Sequence, residues 1–90
     1  MYTDMNMKAF YRHLLDYNFN VDMLTHDEEN NTVIIDIPLG SFTIDEYQNV
    51  TFKTSLDLTH DQRALVKSTT RMLKEFIFSF EAINNENQSH

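Results

Sequence analysis

The apolar residues of this chain change their repeat twice, and that change constrains the fold more than any other feature. Met7, Phe10, Tyr11, Leu14 and Leu15 recur at the spacing that gathers side chains on one stripe of a helix, which predicts a helix over residues 5–17. Thr3 or Asp4 stands ready to cap its start, and Asn18, a residue that tolerates left-handed backbone, to close its end. The period then drops to 2, with Phe19, Val21, Met23 and Thr25 alternating with Asn20, Asp22 and Leu24, and Val33, Ile35 and Ile37 alternating with Thr32, Ile34 and Asp36. A polar run at 26–31 separates these two strands as a hairpin loop.

Pro38 presets the backbone for a turn and Gly40, the only glycine, closes it, so the second strand stops near Ile37. Two further strands follow at 41–45 (Phe42 and Ile44 on one side) and 49–56 (Val50, Phe52, Thr54 and Leu56 on one side). Such short connections imply an antiparallel meander. The helical period returns after Thr59-His60-Asp61-Gln62, a capping-box spacing that starts a helix at His60. Leu65, Thr69, Met72, Phe76, Phe80 and Ile83, flanked by Leu73 and Ile77, form its apolar stripe, and no Gly or Pro interrupts it. At about 24 residues this helix spans roughly 36 Å, more than the sheet needs, and its C-terminal end is expected to protrude.

The expected fold is therefore α+β, in the order α-β-β-β-β-α, with both helices on one face of a small antiparallel sheet. Residues 1–83 form the single domain, and the polar residues 84–90 a flexible tail. Ninety residues with 41% hydrophobic and 12% aromatic content suffice for one core. No cysteine is present, so neither a disulfide nor a thiolate metal site supplements that core. The N-terminus lacks a signal-peptide pattern and no run is long enough for a membrane span, which leads to the expectation of a cytoplasmic protein.

Catalytic and metal signatures are not found. The histidines at 13, 26, 60 and 90 lack a paired-ligand spacing, and 27–29 and 45–46 lack the glycine-bearing loop of a calcium site. No Ser or Thr stands in a nucleophile-elbow, phosphate-loop or S-x-x-K context. The reading is of a non-enzyme with no cofactor, metal or catalytic residue.

Charge is the informative property. The net charge is −7, yet residues 16–61 hold ten acids against Lys53 alone, whereas 62–80 hold four bases against Glu75. Asp22, Asp27, Glu28, Glu29, Asp36, Asp45 and Glu46 fall in the sheet region, and strand alternation places Asp22 and Asp36 opposite the apolar face. Together they compose either a negative surface suited to a basic protein groove, or a set of charges that only keeps the exposed sheet face soluble and its edges from pairing; in both cases they disfavour direct approach to nucleic acid or anionic lipid. Arg63, Lys67, Arg71 and Lys74 lie within about 80° on the second helix, either an alternative basic face for nucleic acid or an acidic partner, or a solvated helix face that complements the sheet acids within the molecule or a dimer. Phe78, off the core stripe, marks an apolar contact on that side.

In its short length, its lack of cysteine, its acidic runs at 26–31 and 43–46 and its helices bracketing a small sheet, the chain resembles the small phage-encoded inhibitors, anti-CRISPR proteins and other DNA mimics. Its wealth of Asn, Ile, Phe and Tyr also resembles coding from an A/T-rich genome. The resemblance is general, with no motif across the chain, so no functional residue is carried over. It implies an inhibitor in the host cytoplasm whose carboxylates occupy the basic channel of a nuclease or other nucleic-acid-binding protein. The alternatives are a nucleic-acid-binding module, or a dimeric structural or adaptor protein working through the second helix.

Overall fold

The computed structural model describes residues 4–17 and 19–88, with side chains described as far as Ile83. The order is α1 (Met7–Asp16), a short 3-10 helix (Val21–Met23), β1 (Leu24–Asp27), β2 (Thr32–Ile37), β3 (Gly40–Asp45), β4 (Val50–Lys53) and α2 (His60–Gln88). This is the expected α-β-β-β-β-α, α+β arrangement. The strands form one antiparallel sheet in sequence order.

α1 starts two residues later than its apolar pattern implies. Asn6, rather than Asp4, accepts the Ala9 N–H (3.1 Å) and caps the helix. Met5 is thereby freed to enter the core, and its N–H donates to the Glu46 carbonyl (2.9 Å). The alternative cap, Thr3, and the expected closing residue, Asn18, lie outside the described residues.

β1 departs furthest from expectation. The Asn20 side chain accepts the Asp22 N–H (2.9 Å) and its carbonyl accepts the Met23 N–H (2.9 Å), which winds Val21–Met23 into a helical turn where a strand was expected. The strand therefore begins at Leu24, and its phase is inverted: Leu24 is buried while Val21 is exposed. β4 is also shorter than expected. The Thr54 hydroxyl donates to the Leu39 carbonyl and accepts the Leu56 N–H (3.0 Å), turning the chain off the sheet and leaving Leu56 in solvent.

Cross-strand register assigns the two faces. Leu24, Ile35, Phe42 and Phe52 form one row of the covered face, and His26, Val33, Ile44 and Val50 the next. Against them pack Met5, Met7, Phe10 and Leu14 from the N-terminal segment and Leu73, Ile77 and Phe80 from α2. Each such burial contributes about 1.5–3 kcal/mol relative to exposure. The opposite face carries the row Thr25, Ile34, Thr43 and Thr51, none of them buried.

α2 begins with the expected capping box: the Thr59 N–H donates to Gln62 Oε1 (2.9 Å), and the Gln62 N–H donates to Thr59 Oγ1 (3.2 Å). It runs past Ile83 to Gln88, 29 residues in all, because nothing in 84–88 breaks a helix. Its buried line is Leu73, Ile77 and Phe80, not the Leu65–Met72–Ile83 line of the expected stripe. The apolar arc is wider than the sheet and α1 can cover together, and contacts such as Phe80 against Phe10 (ring centroids 5.3 Å) seat its other flank.

The direction of α2 follows from its ring contacts. Phe10, early in α1, meets Phe80, whereas Tyr17, at its end, meets Phe76 (4.8 Å), so the helices are antiparallel. Among the described side chains, 60–72 include none that is buried. The N-terminal half of α2 is thus the less covered part of the described helix, with Val66 alone packed against the core, and the end expected to protrude, beyond Ile83, lies outside the described side chains. The molecule measures 48 × 25 × 23 Å.

Candidate protein-binding surface

A meander places alternate turns at the same end, so the β1–β2 and β3–β4 turns are neighbours. Register confirms this, since Asp27 and Asp45 both lie opposite Thr32 on the uncovered face. The backbones of Asp27 and Asp45 stand two interstrand spacings apart, about 10 Å. Asn31 Nδ2 donates to Glu46 Oε2 (2.6 Å) and joins the two turns directly. Asp27, Glu28, Glu29, Asp45 and Glu46 therefore share one end of the sheet.

Each turn is built by its own acid. Asp27 accepts the Asn30 N–H (3.2 Å) and Asn30 Nδ2 (2.8 Å), and Asn31 follows in left-handed backbone (φ 55°). Asp45 accepts the N–H groups of Tyr47 (2.9 Å) and Asn49 (2.9 Å) and Asn49 Nδ2 (3.1 Å), while Gln48 takes φ 70°. The donors are neutral, so these bonds orient the carboxylates without cancelling their charge. The hydrogen bonds from the Asn30 side chain and backbone hold the Asp27 carboxyl below its ordinary value, keeping it ionised.

Two residues that sequence reasoning did not assign to this surface belong to it. The Met5–Glu46 backbone bond brings Asp4 to the same end. Tyr47 registers the field there: the charges of Glu46 and then Asp4, with a hydrogen bond to Glu46, raise its hydroxyl pKa above 10.0. A tyrosine directly after two acids in a turn is the sequence signal for such a position, but Asp4 is brought in by a long-range bond that local sequence does not encode.

Asp22 and Asp36 do not join the group. Asp22 sits in the 3-10 turn rather than on a strand, which corrects its expected placement on the sheet face. Asp36 does face away from the core, but at the other end of β2, where Ser41 Oγ donates to it (2.6 Å).

Arg63, Lys67, Arg71 and Lys74 are all exposed, and none has an ion-pair partner among the described residues. Lys67, Arg71 and Lys74 line a shallow groove with Val66 and Thr70, and Phe78 stands exposed on the same side. β4 ends at Lys53, opposite Ser41 and away from the acidic turns, and residues 54–59 lead from there into α2. Arg63, Lys67 and Arg71, on the less covered half, are therefore remote from those turns, and the charge asymmetry of the sequence becomes an asymmetry in space.

Among the described residues no three His, Asp or Glu side chains gather to hold a metal ion, and no helix is long and apolar enough to cross a membrane. His26 instead stacks on Tyr11 (5.8 Å), and His13 lies among Tyr17, Phe76 and Phe80. Comparison with protein-family models, with curated proteins and with solved structures returned no match to this chain.

Proposed function

We propose that this domain is a protein-binding inhibitor whose acidic sheet end occupies a basic, nucleic-acid-binding surface of its partner. One observation carries the reading: Asp27, Glu28, Glu29, Asp45 and Glu46 converge on two adjacent turns, tied by Asn31 to Glu46, with no cation neutralising them among the described residues. Carboxylates held this way resemble a short stretch of phosphates to a groove of Lys and Arg. By occupying it they exclude nucleic acid, and the grip weakens as salt screens it. The role needs no catalytic residue or cofactor, and it accords with the general likeness to acidic phage inhibitors such as anti-CRISPR proteins.

The test is retention from cell extract on immobilised wild-type protein and on the variant Asp27→Asn, Glu28→Gln, Glu29→Gln. The expected result is a retained nucleic-acid-binding protein that the wild type strips of its nucleic acid and the variant does not hold. Equal retention by a folded variant refutes the epitope.

A second reading rests on the four cations of α2, which have no ion-pair partner among the described residues and offer a line of contacts to phosphate. Retention of the wild type on DNA or RNA at low salt, lost in Arg63→Ala with Arg71→Ala, supports it. The net charge of −7 favours the first reading.

A further inference from the structure

We propose that the free edge of β4, beside the basic flank of α2, takes an extended acidic segment of a partner protein as a fifth strand of the sheet. β4 ends the sheet, with β3 as its one neighbour. The Asp45 N–H donates to the Asn49 carbonyl (3.1 Å), and hydrogen-bonded pairs alternate along an antiparallel ladder, so Thr43 and Thr51 form the next such pair. Val50 and Phe52 therefore turn their own N–H and C=O groups away from β3. Those groups have no hydrogen-bond partner among the described residues. The chain leaving β4 does not cross them, because the Thr54 hydroxyl ties it to the Leu39 carbonyl at the β2–β3 turn. Such a row of donors and acceptors is a template for a further strand.

The cover of the sheet also runs out at this strand. In the row Leu24, Ile35, Phe42 and Phe52 the first three are buried and Phe52 is half-buried, and in the next row Val50 is half-buried beside the buried Ile44. A fifth strand extends both rows and covers these two side chains. The opposite edge has no such gap, because Leu24 of β1 is buried and α1 packs over β1 and β2.

Charge selects the occupant. Leu73 and Ile77 mark the side of α2 that faces the core. Phe76, about 80° to one side of it, meets the rings of His13 and Tyr17, whereas Lys67, Arg71, Lys74 and Phe78 lie about 80–140° to the other. Since α1 packs over β1 and β2 and α2 packs beside β4, the flank of α2 turned away from α1 stands at the β4 edge. Lys67, Arg71 and Lys74 line a groove there with Val66 and Thr70, and Phe78 is 75% exposed. Lys53 adds an exposed cation on the open face of β4 itself. Glu81, the acid on this flank, lies two turns beyond Lys74 toward the acidic turns, so the carboxylates of the added strand are drawn to the Lys53 end. A second copy of β4 does not suit the edge, because two-fold pairing sets the two basic flanks against each other. A nucleic-acid strand leaves the alternating N–H and C=O groups of Val50 and Phe52 unused. The site works independently of the role proposed for the acidic turns.

The probe is a short peptide of alternating Asp and Val, titrated into the isotope-labelled full chain with amide shifts and amide exchange as readouts. Binding is expected to shift residues 50–53 and 67–74 together and to slow exchange of the Val50 and Phe52 amides by about tenfold or more. The same peptide N-methylated at every residue keeps its charge but cannot donate, and should bind at least about tenfold more weakly. Lys67→Gln with Lys74→Gln, both at exposed positions, should weaken binding by about threefold or more and leave the thermal melt unchanged. Equal binding of the methylated peptide, or shifts confined to 63–74, reduces the site to a charge contact and overturns the proposal. Tighter binding of oligothymidylate than of the peptide overturns it in favour of nucleic acid. A doubled mass of the free protein with Val50 and Phe52 already protected gives the edge to a second copy and overturns it too, as does the absence of any shift with the peptide.

Discussion

Replacing Leu73 and Met72 with alanine, one at a time, separates the observed seating of α2 from the one its apolar spacing implied. Leu73 is 1% exposed and packs in the core with Ile77 and Phe80, so truncation removes buried methyl groups and leaves a cavity that the sheet and α1 fill only in part. Such changes cost about 2–5 kcal/mol. A chain of this length has roughly 5–14 kcal/mol in total, at about 0.05–0.15 kcal/mol per residue. Leu73→Ala therefore consumes a large share and should lower the urea midpoint by about 2 M, taking a denaturant slope of about 1.5 kcal/mol per molar. Met72, its neighbour, is half in solvent, and alanine's better helix propensity offsets part of what little burial is lost, leaving a change of less than about 1 kcal/mol. The assay is urea unfolding followed by circular dichroism at low micromolar protein, where only contacts within one chain count. If Met72→Ala costs as much as Leu73→Ala, the helix is rotated about its axis from the seating described, and the reasoning fails.

Three further outcomes follow from the turns. Gly40 sits at φ 156°, and a Cβ there runs into the Lys53 carbonyl and comes within 2.8 Å of the Phe52 ring, so Gly40→Ala should cost about 2 kcal/mol or more and lower the Tm in a thermal melt. Because the folded-state pKa of Asp27 is depressed, its contribution to stability is complete above the ordinary value of 3.8 and is lost as pH falls through the folded value. Asn30→Ala, which removes the largest cause, should narrow the gap between neutral and acid stability in urea titrations across that window. Tyr47 has the opposite sign: raised above 10.0, its contribution is present below that pH and lost as pH rises through the folded value. The tyrosinate absorbance that Tyr47→Phe removes should therefore appear at higher pH than for free tyrosine, and Glu46→Gln should bring it down.

Where the sequence was legible, a single local rule decided the structure. The alternation of Val33, Ile35 and Ile37 with Thr32, Ile34 and Asp36 gave the face of β2, and Thr59 with Gln62 gave the start of α2. Two local rules competed at Asn20: the period-2 pattern asked for a strand, but the Asn side chain offered the Asp22 N–H a nearer partner. The seating of α2 was not readable because its apolar arc is broad, and which flank is buried depends on where Phe10 and the sheet stand, a tertiary fact. The acidic surface was legible in part. Asp27, Glu28, Glu29, Asp45 and Glu46 met because a meander brings its alternate turns together, which follows from element order alone. Asp36 is a strand length away from them, and Asp4 arrives through the Met5–Glu46 bond.

The most direct measurement of the binding account is an amide-resolved NMR titration of the wild-type protein with a short oligolysine peptide at two salt concentrations. Shifts are expected to be concentrated at residues 27–31 and 45–49, absent from 60–74, and to shrink as salt rises. Shifts spread evenly over all the exposed acids, or unchanged by salt, would contradict it.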